Sequence, residues 1–256
     1  MDDPSQKSTR ALLVSPHLDD GVFSCGAWLA AHRPATVLTV FAGRPERAAM
    51  STDWDRQCGF ADAAQAMTVR YEEDQQALRT LGAMPLRLSF LDSQYGETPR
   101  VEAIADALVT AFDTHDGDTI LLPLGLWHSD HVLTHEACLL AMRRLETLAP
   151  AAPPFRRRWI AYEDALYRRM EGAVQRRVAA LAQQGIAATP VWLEAPQLTE
   201  RAPAAAKREA VAAYASQLRA FGPDGYDDVA TTERYWALTP MRAETTSWSL
   251  TAQNAA

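Results

Sequence analysis

Residues 11–33 read ALLVSPHLDDGVFSCGAWLAAHR and contain three successive patterns. The apolar run ALLVSP (11–16) has no polar face, which is typical of a buried strand in a parallel sheet. A polar turn with one histidine and two aspartates follows it, and the pattern of 22–33 then predicts a helix. Strand, turn and helix in this order begin a βαβ unit, so this segment predicts an α/β protein.

The same alternation continues along the rest of the chain. Further strands are predicted at 35–43, 86–92, 119–125 and 157–164, with a weaker one at 189–195. The predicted helices between and after them cover 54–82 (in one or two pieces), 100–113, 131–148, 167–184 and 203–220. We therefore expect a mainly parallel, doubly wound sheet. It would lie in one domain, 1–256, with its core at about 11–238, and the Pro- and Ala-rich segment 149–154 would be a loop rather than a linker.

The composition excludes several classes of protein. A net charge of −7 argues against a nucleic-acid partner, because such binding depends on neutralising phosphates with Lys and Arg. The three cysteines are scattered and form no CxxC, which predicts a reducing compartment without a disulfide framework. No run approaches the ~20 apolar residues that span a bilayer, and the polar N-terminus lacks the apolar core of a signal peptide. We expect a cytoplasmic protein without stable membrane insertion.

Two polar clusters follow predicted strands, where open α/β sheets bind their ligands. Each combines imidazoles with carboxylates: His17, Asp19 and Asp20 in PHLDD (16–20), and His128, Asp130 and His131 in WHSDH (127–131). A catalytic zinc site needs three such ligands and one open position. His17 and Asp20 are one turn apart, and His131 offers a third ligand from the other cluster. Asp19 and His128 are then left for proton transfer beside the metal.

Each cluster also has a structural interpretation. An HxDD sequence alone is as consistent with a helix N-cap as with a metal site, since Asp19 or Asp20 could accept hydrogen bonds from free helical N–H groups. An HxDH sequence alone is compatible with a solvated loop. The occurrence of both at strand ends of one predicted sheet favours a functional site.

At these residues the sequence resembles the PIG-L/LmbE-like deacetylases. PHLDD and HSDH (128–131) match the paired motifs of that family, and RYEEDQQALRTLG (70–82), YED (162–164) and ERYW (233–236) match further elements. The resemblance implies a Rossmann-like, three-layer αβα fold. It also implies a zinc-dependent hydrolase that removes an N-acyl group, commonly the acetyl group of an N-acetylglucosamine unit.

The resemblance also implies roles for individual residues. The zinc ligands would be His17, Asp20 and His131, the general base Asp19, and the residue that stabilises or protonates the intermediate His128, oriented by Asp130. Arg70 and Asp92 would hold sugar hydroxyls. We also expect Asp164 to line the site, and Trp127 is a candidate for stacking on a sugar, although tryptophans more often pack in the core. Leu126 departs from the family, because some members carry a tyrosine there that is aimed at the intermediate.

Other functions remain open from the sequence alone. A metal-dependent hydrolase of another bond, such as a phosphoester, is disfavoured because two-metal phosphatases gather more carboxylates. An inactive sugar- or nucleotide-binding relative is compatible with the fold. The expected partner is a small-molecule amino sugar or glycoconjugate. Its identity, the acyl group and the oligomeric state are not specified by the sequence.

Overall fold

A mixed sheet forms the centre of the protein in this computed structural model, which describes residues 11–115, 117–148, 157–193 and 202–241. Within these ranges the sheet has seven strands in the order β3-β2-β1-β4-β5-β7-β6. Their bounds are β1 Ala11–Ser15, β2 Ala35–Thr39, β3 Ala83–Arg87, β4 Thr119–Pro123, β5 Arg158–Tyr162, β6 Ile186–Val191 and β7 Tyr235–Pro240.

Five of these strands are parallel to one another, and the order in which the chain adds them switches sides at the centre of the sheet. Strands β2 and β3 extend from one side of β1, and β4 and β5 extend from the other. Strand β7 pairs antiparallel with both β5 and β6 and adds the remaining edge. The side on which the chain adds successive strands thus switches between β1 and β4, and a crevice at the carboxyl ends of the strands is expected there.

Helices cover both faces of the sheet. They are α1 Asp20–Ala31, α2 Asp53–Cys58, α3 Ala63–Leu81, α4 Val101–Thr114, α5 Ser129–Leu148, α6 Ala173–Gln183, α7 Pro203–Ala212 and α8 Ala215–Phe221. Alternate residues of β1 point to opposite faces: Leu12 and Val14 pack with α4 and α5, whereas Ala11 and Leu13 pack with α1 and α3. The predicted αβα fold with a mainly parallel sheet is confirmed.

The third strand differs from its prediction. It covers Ala83–Arg87 rather than 86–92, and beyond it the backbone makes only one isolated bridge, between Phe41 and Ser89. The segment that follows β3 passes close to Gly43, whose N–H donates to the carbonyl of Phe90 at 2.8 Å. A Cβ at Gly43 would lie 2.4 Å from the carbonyl oxygen of Ser89, so this close approach requires a glycine.

Other element boundaries also changed. The predicted helix 54–82 is two helices separated at Gly59, which has a left-handed φ of 87°, and 203–220 is likewise two helices. Strand β7 was not predicted as a strand. The predicted bend at 149–154 lies outside the described residues, as does the end of the predicted strand 189–195. None of the described helices combines the length and apolar character that crossing a membrane requires.

Candidate metal centre and active site

The turn after β1 places the first polar cluster at the crevice. The Ser15 hydroxyl donates to the carbonyl of His17 and accepts the N–H of Gly21 at 2.8 Å, which closes the turn between the strand and α1. A Cβ at Gly21 would lie 2.7 Å from the Leu13 side chain, so the helix can begin this close to the strand only with a glycine there. Asp20 is the first residue of α1.

The turn after β4 places the second cluster beside the first. Gly125 has a φ of 76°, and a Cβ there would lie 2.5 Å from that of His135. The carboxylate of Asp164, from the end of β5, accepts the N–H groups of Gly125 and Leu126 at 2.9 and 3.2 Å. These hydrogen bonds fix the loop after β4, which contains His128 and leads into α5.

The three predicted metal ligands converge in this crevice. Oδ2 of Asp20 lies 3.0 Å from Nδ1 of His17 and 3.1 Å from Nε2 of His131. The donor atoms of the three residues all lie within 4.8 Å of one another. Nε2 of His131 is buried and makes no hydrogen bond with a described residue, despite its closeness to Asp20. A cation between the three side chains would satisfy that nitrogen, and two imidazoles with a carboxylate suit zinc.

Each of the two imidazoles has a carboxylate on its far side. Nε2 of His17 lies 3.0 Å from Oδ2 of Asp130, and Nδ1 of His131 lies 2.7 Å from Oδ1 of Asp164. Metal-binding histidines usually have such a partner, which fixes the ring and makes it more basic.

These contacts bear on two predicted roles. The carboxylate of Asp130 contacts the ring of His17, and its backbone N–H contacts the ring of His128. Asp164 is fully buried and uses both oxygens on His131 and the loop after β4, so its contacts are those of a support for the metal centre rather than of a substrate-binding residue.

A second group, His17, His128 and Asp130, also meets the distance requirement of a metal site. Several of its donor atoms already have protein partners, however. Oδ2 of Asp130 accepts the N–H of Ser93 at 3.1 Å, and Nδ1 of His128 accepts the backbone N–H of Asp130 at 3.2 Å. The group formed by His17, Asp20 and His131 is therefore the better candidate.

The electrostatics of the crevice favour a cation. Burial alone would lower the pKa of His17, but Asp92, Asp130 and Asp20 together raise it well above its ordinary value. The pKa of His131 is raised to about 9, because Asp20 and Asp164 outweigh the effect of burial. The carboxylates that hold protons on these two rings would stabilise a metal ion in their place.

Asp19 and His128 lie beside the candidate ligands. Asp19 occupies the N-cap position of α1, but its buried side chain makes no capping hydrogen bond, so the helix-cap interpretation does not account for it. Burial and the charge of Asp20 raise the pKa of Asp19 to about 6. The pKa of His128 is lowered by burial and by the nearby His17 and His131.

The two predicted sugar-binding residues also reach the crevice. Nη1 of Arg70, on α3, lies 3.6 Å from Oδ2 of Asp92, and the same oxygen lies 3.9 Å from Nε2 of His17. The side chain of Gln94 donates to Asp92 at 2.8 Å. Apart from its ion pair, the buried Arg70 side chain makes no hydrogen bond with any residue that the structure describes, so its N–H groups remain available to a ligand.

Sequence reasoning missed Tyr167. Its ring centroid lies 5.0 Å from that of His131 and 6.2 Å from that of His128. The sequence signal was the ALY segment (165–167) directly after YED. In contrast, the neighbouring Glu163 turns away from the centre and accepts a hydrogen bond from the indole of Trp236.

Comparisons with known proteins agree with this geometry. The model of the PIG-L family, described as GlcNAc-PI de-N-acetylase, matches residues 12–142, which include both polar clusters. The 2'-N-acetylparomamine deacetylase of Streptomyces fradiae is 36% identical over 146 residues, which is 50% of this chain and 50% of that protein. The match thus spans about half the length of that curated relative.

Two solved structures share the fold over nearly the whole chain. The A40926 pseudoaglycone deacetylase Dbv21 is 26% identical with a TM-score of 0.71, covering 93% of this chain and 100% of that one. The zinc-inhibited form of the teicoplanin deacetylase Orf2 is 23% identical with a TM-score of 0.74, covering 91% and 98%. The likeness to Orf2 concerns the fold alone. With the family match across both polar clusters, these findings confirm the predicted family: the chain belongs to the PIG-L family.

Proposed function

We propose that this protein is a zinc-dependent hydrolase that removes an N-acyl group, most simply acetyl, from an amino sugar or a sugar conjugate. The observation that carries the proposal is the convergence of His17, Asp20 and His131 next to Asp19 and His128. The names of the relatives support the reaction, since the three compared above are described as deacetylases. The compounds in those names, 2'-N-acetylparomamine, the A40926 pseudoaglycone and teicoplanin, support a small glycoconjugate as the substrate.

The proposed metal would be held by His17, Asp20 and His131. Zinc bound there would act as a Lewis acid on the amide carbonyl and lower the pKa of a water molecule toward ~7.

Asp19 is the proposed general base. Its carboxylate interacts electrostatically with Asp20 and His17, is buried, and makes no capping bond that would compete for it. With a pKa raised to about 6, it is ionised near neutral pH yet basic enough to accept a proton from the attacking water.

His128 is the proposed donor to the reacting amide. Its ring lies 5.3 Å from that of His17, in an edge-on arrangement. Because its Nδ1 accepts the N–H of Asp130, the neutral ring carries its proton on Nε2. That N–H can stabilise the oxyanion by a hydrogen bond, and the proton that Asp19 takes from the water can then pass to the leaving nitrogen. Asp130 thus orients His128 through its backbone, and His17 through its carboxylate.

A substrate panel tests the reaction class. The zinc-loaded protein should release acetate and a primary amine from N-acetylglucosamine conjugates and leave phosphomonoesters intact. Hydrolysis of the phosphomonoesters without acetate release would identify a different metal-dependent hydrolase.

The metal prediction concerns stoichiometry and removal. The purified protein should contain about one divalent ion per chain, since the two candidate ligand groups share His17, and His17, Asp20 and His131 are the better of them. A chelator should abolish acetate release, and one equivalent of zinc should restore it. Elemental analysis checks the first point, and excess zinc should be tested separately, because one solved relative is described as a zinc-inhibited form. Activity that is indifferent to chelation would contradict the assignment.

The substrate-binding prediction concerns Arg70 and Asp92. Truncating either residue to alanine should raise KM about tenfold or more and leave the metal content intact, because each would lose a hydrogen bond to a sugar hydroxyl. Arg79→Ala, an exposed position on the same helix, is the matched control. If Arg70→Ala and Asp92→Ala both match the parent in KM and kcat, neither residue holds the substrate.

A further inference from the structure

Two non-glycine residues in the described ranges have left-handed backbone conformations. They are Trp127, with a φ of 58°, and Leu166, with a φ of 73°. Leu166 directly precedes Tyr167, and the rings of Trp127 and Tyr167 lie 5.3 Å apart with an angle of 33° between their planes. One strained residue, Trp127, is therefore a member of this aromatic pair, and the other, Leu166, directly precedes the second member, Tyr167. Strain of this kind persists only where surrounding contacts enforce it, and it is concentrated at functional sites.

Partly buried hydrogen bonds enforce the conformation at Leu166. Its N–H donates to Oδ2 of Asp228 at 2.9 Å. The guanidinium of the buried Arg168 donates to the same carboxylate oxygen at 2.8 Å and to the carbonyl of Asp228 at 2.7 Å. In the loop after β4, the hydrogen bonds from the N–H groups of Gly125 and Leu126 to Asp164 fix the two residues before Trp127. The aromatic pair is thus positioned by two fixed loops.

The aromatic pair of Tyr167 and Trp127 extends from the candidate metal centre to the protein surface. The ring of Tyr167 contacts those of His131 and His128, whereas the ring contacts of Trp127 within the described residues are with Tyr167 and His128. Trp127 is 65% exposed, so packing in the core does not explain this indole. Neither side chain is charged, and an indole beside a phenol offers a flat apolar surface to a ring.

We propose that Trp127 and Tyr167 form a subsite for an apolar or aromatic ring attached to the acyl-bearing sugar. The inference rests on the function proposed above. His128, which faces the reacting amide, lies between Trp127 and His17, with ring centroids separated by 6.3 Å and 5.3 Å respectively. A ring that packs against Trp127 would therefore belong to the group attached to the sugar, not to the sugar that carries the amide. The substrate class is an N-acyl amino sugar with a ring-containing aglycone, selected over simple amino sugars.

The test compares the phenyl and methyl glycosides of N-acetylglucosamine, with the same anomeric configuration, as substrates of the zinc-loaded protein. The parent should have a kcat/KM about tenfold higher for the phenyl glycoside, the scale of one aromatic contact. Trp127→Ala should lose most of this preference through a higher KM for the phenyl glycoside. Tyr167→Phe should keep the preference, because it retains the ring. Trp192→Ala, which removes a tryptophan that is 86% exposed, is the control and should also keep it.

Other outcomes separate the two proposals. Tyr167→Ala should behave like Trp127→Ala; if it does not fold, the exposed Trp127 decides alone. An unchanged preference in Trp127→Ala overturns the subsite and leaves the deacetylase intact. If the parent cleaves neither glycoside, the proposed function fails for these substrates, and calorimetry with phenyl and methyl glycosides of glucosamine judges the subsite. Tighter binding of the phenyl compound, lost in Trp127→Ala, supports it; equal or absent binding by the parent overturns it.

Discussion

Asp20→Ala should lose the metal and the activity together, the largest effect that we expect from a single substitution. One carboxylate oxygen of Asp20 lies within 3.1 Å of both His17 and His131 and also accepts the N–H of His17 at 2.9 Å. Without it, two basic imidazoles would face each other with no anion between them, and a two-ligand site binds zinc poorly. Elemental analysis and acetate release, measured on the same preparation, check this expectation.

The control for this substitution is Asp53→Ala, which removes an exposed carboxylate elsewhere on the surface and should leave both quantities unchanged. Circular dichroism shows whether the Asp20 variant is folded. A folded Asp20→Ala protein that still holds one zinc per chain with parental affinity would remove Asp20 from the ligand set.

Asp19→Asn should keep its metal and lose turnover by roughly a hundredfold or more, the scale of a missing general base. The amide side chain fills the same space but cannot accept the proton of the attacking water. His128→Ala should behave similarly, with metal retained and kcat reduced, because the N–H donor to the oxyanion is removed.

Metal content and kcat, measured side by side, distinguish the two adjacent aspartates. Should Asp19→Asn prove metal-free while Asp20→Ala keeps its zinc, the two assigned roles are reversed. Equal turnover in Asp19→Asn and the parent would exclude Asp19 as the base.

The position of the candidate site could be predicted because it depends on short-range patterns and one topological rule. The strands before His17 and His128 are uninterrupted apolar runs, so their ends were readable from the sequence. Parallel strands end at one edge, and the order of the sheet reverses between β1 and β4. The structure accordingly brings His17, Asp20 and His131 together.

The supporting contacts could not be predicted from the sequence. Asp164 is 33 residues from His131 in the sequence. Whether its carboxylate contacts the substrate or the His131 ring depends on how the loops pack in the folded protein. The same holds for Asp130, whose carboxylate reaches the ring of His17, 113 residues away, rather than that of its neighbour His128. The sequence could therefore not show that Asp130 contacts His17 through its carboxylate and His128 through its backbone N–H.

The displaced strand β3 and the missed strand β7 have a simpler physical reason. Strand β3 is an edge strand with exposed Met84 and Leu86, so its sequence lacks the continuous apolar pattern of a buried strand. The more apolar residues that follow it pack against the core instead of pairing in the ladder. Strand β7 is a short antiparallel addition that is defined by pairing with β5 and β6, which a local pattern does not reveal.

The most direct test of the central claim is identification of both reaction products. The zinc-loaded protein should be incubated with an N-acetylglucosamine conjugate in ¹⁸O-labelled water and analysed by mass spectrometry, with a chelated sample alongside. We expect equal amounts of the free amine and of acetate carrying one labelled oxygen, in the zinc-loaded sample only. Absence of both products for every N-acetyl amino sugar offered, from protein that holds one zinc per chain, would contradict the proposed deacetylase.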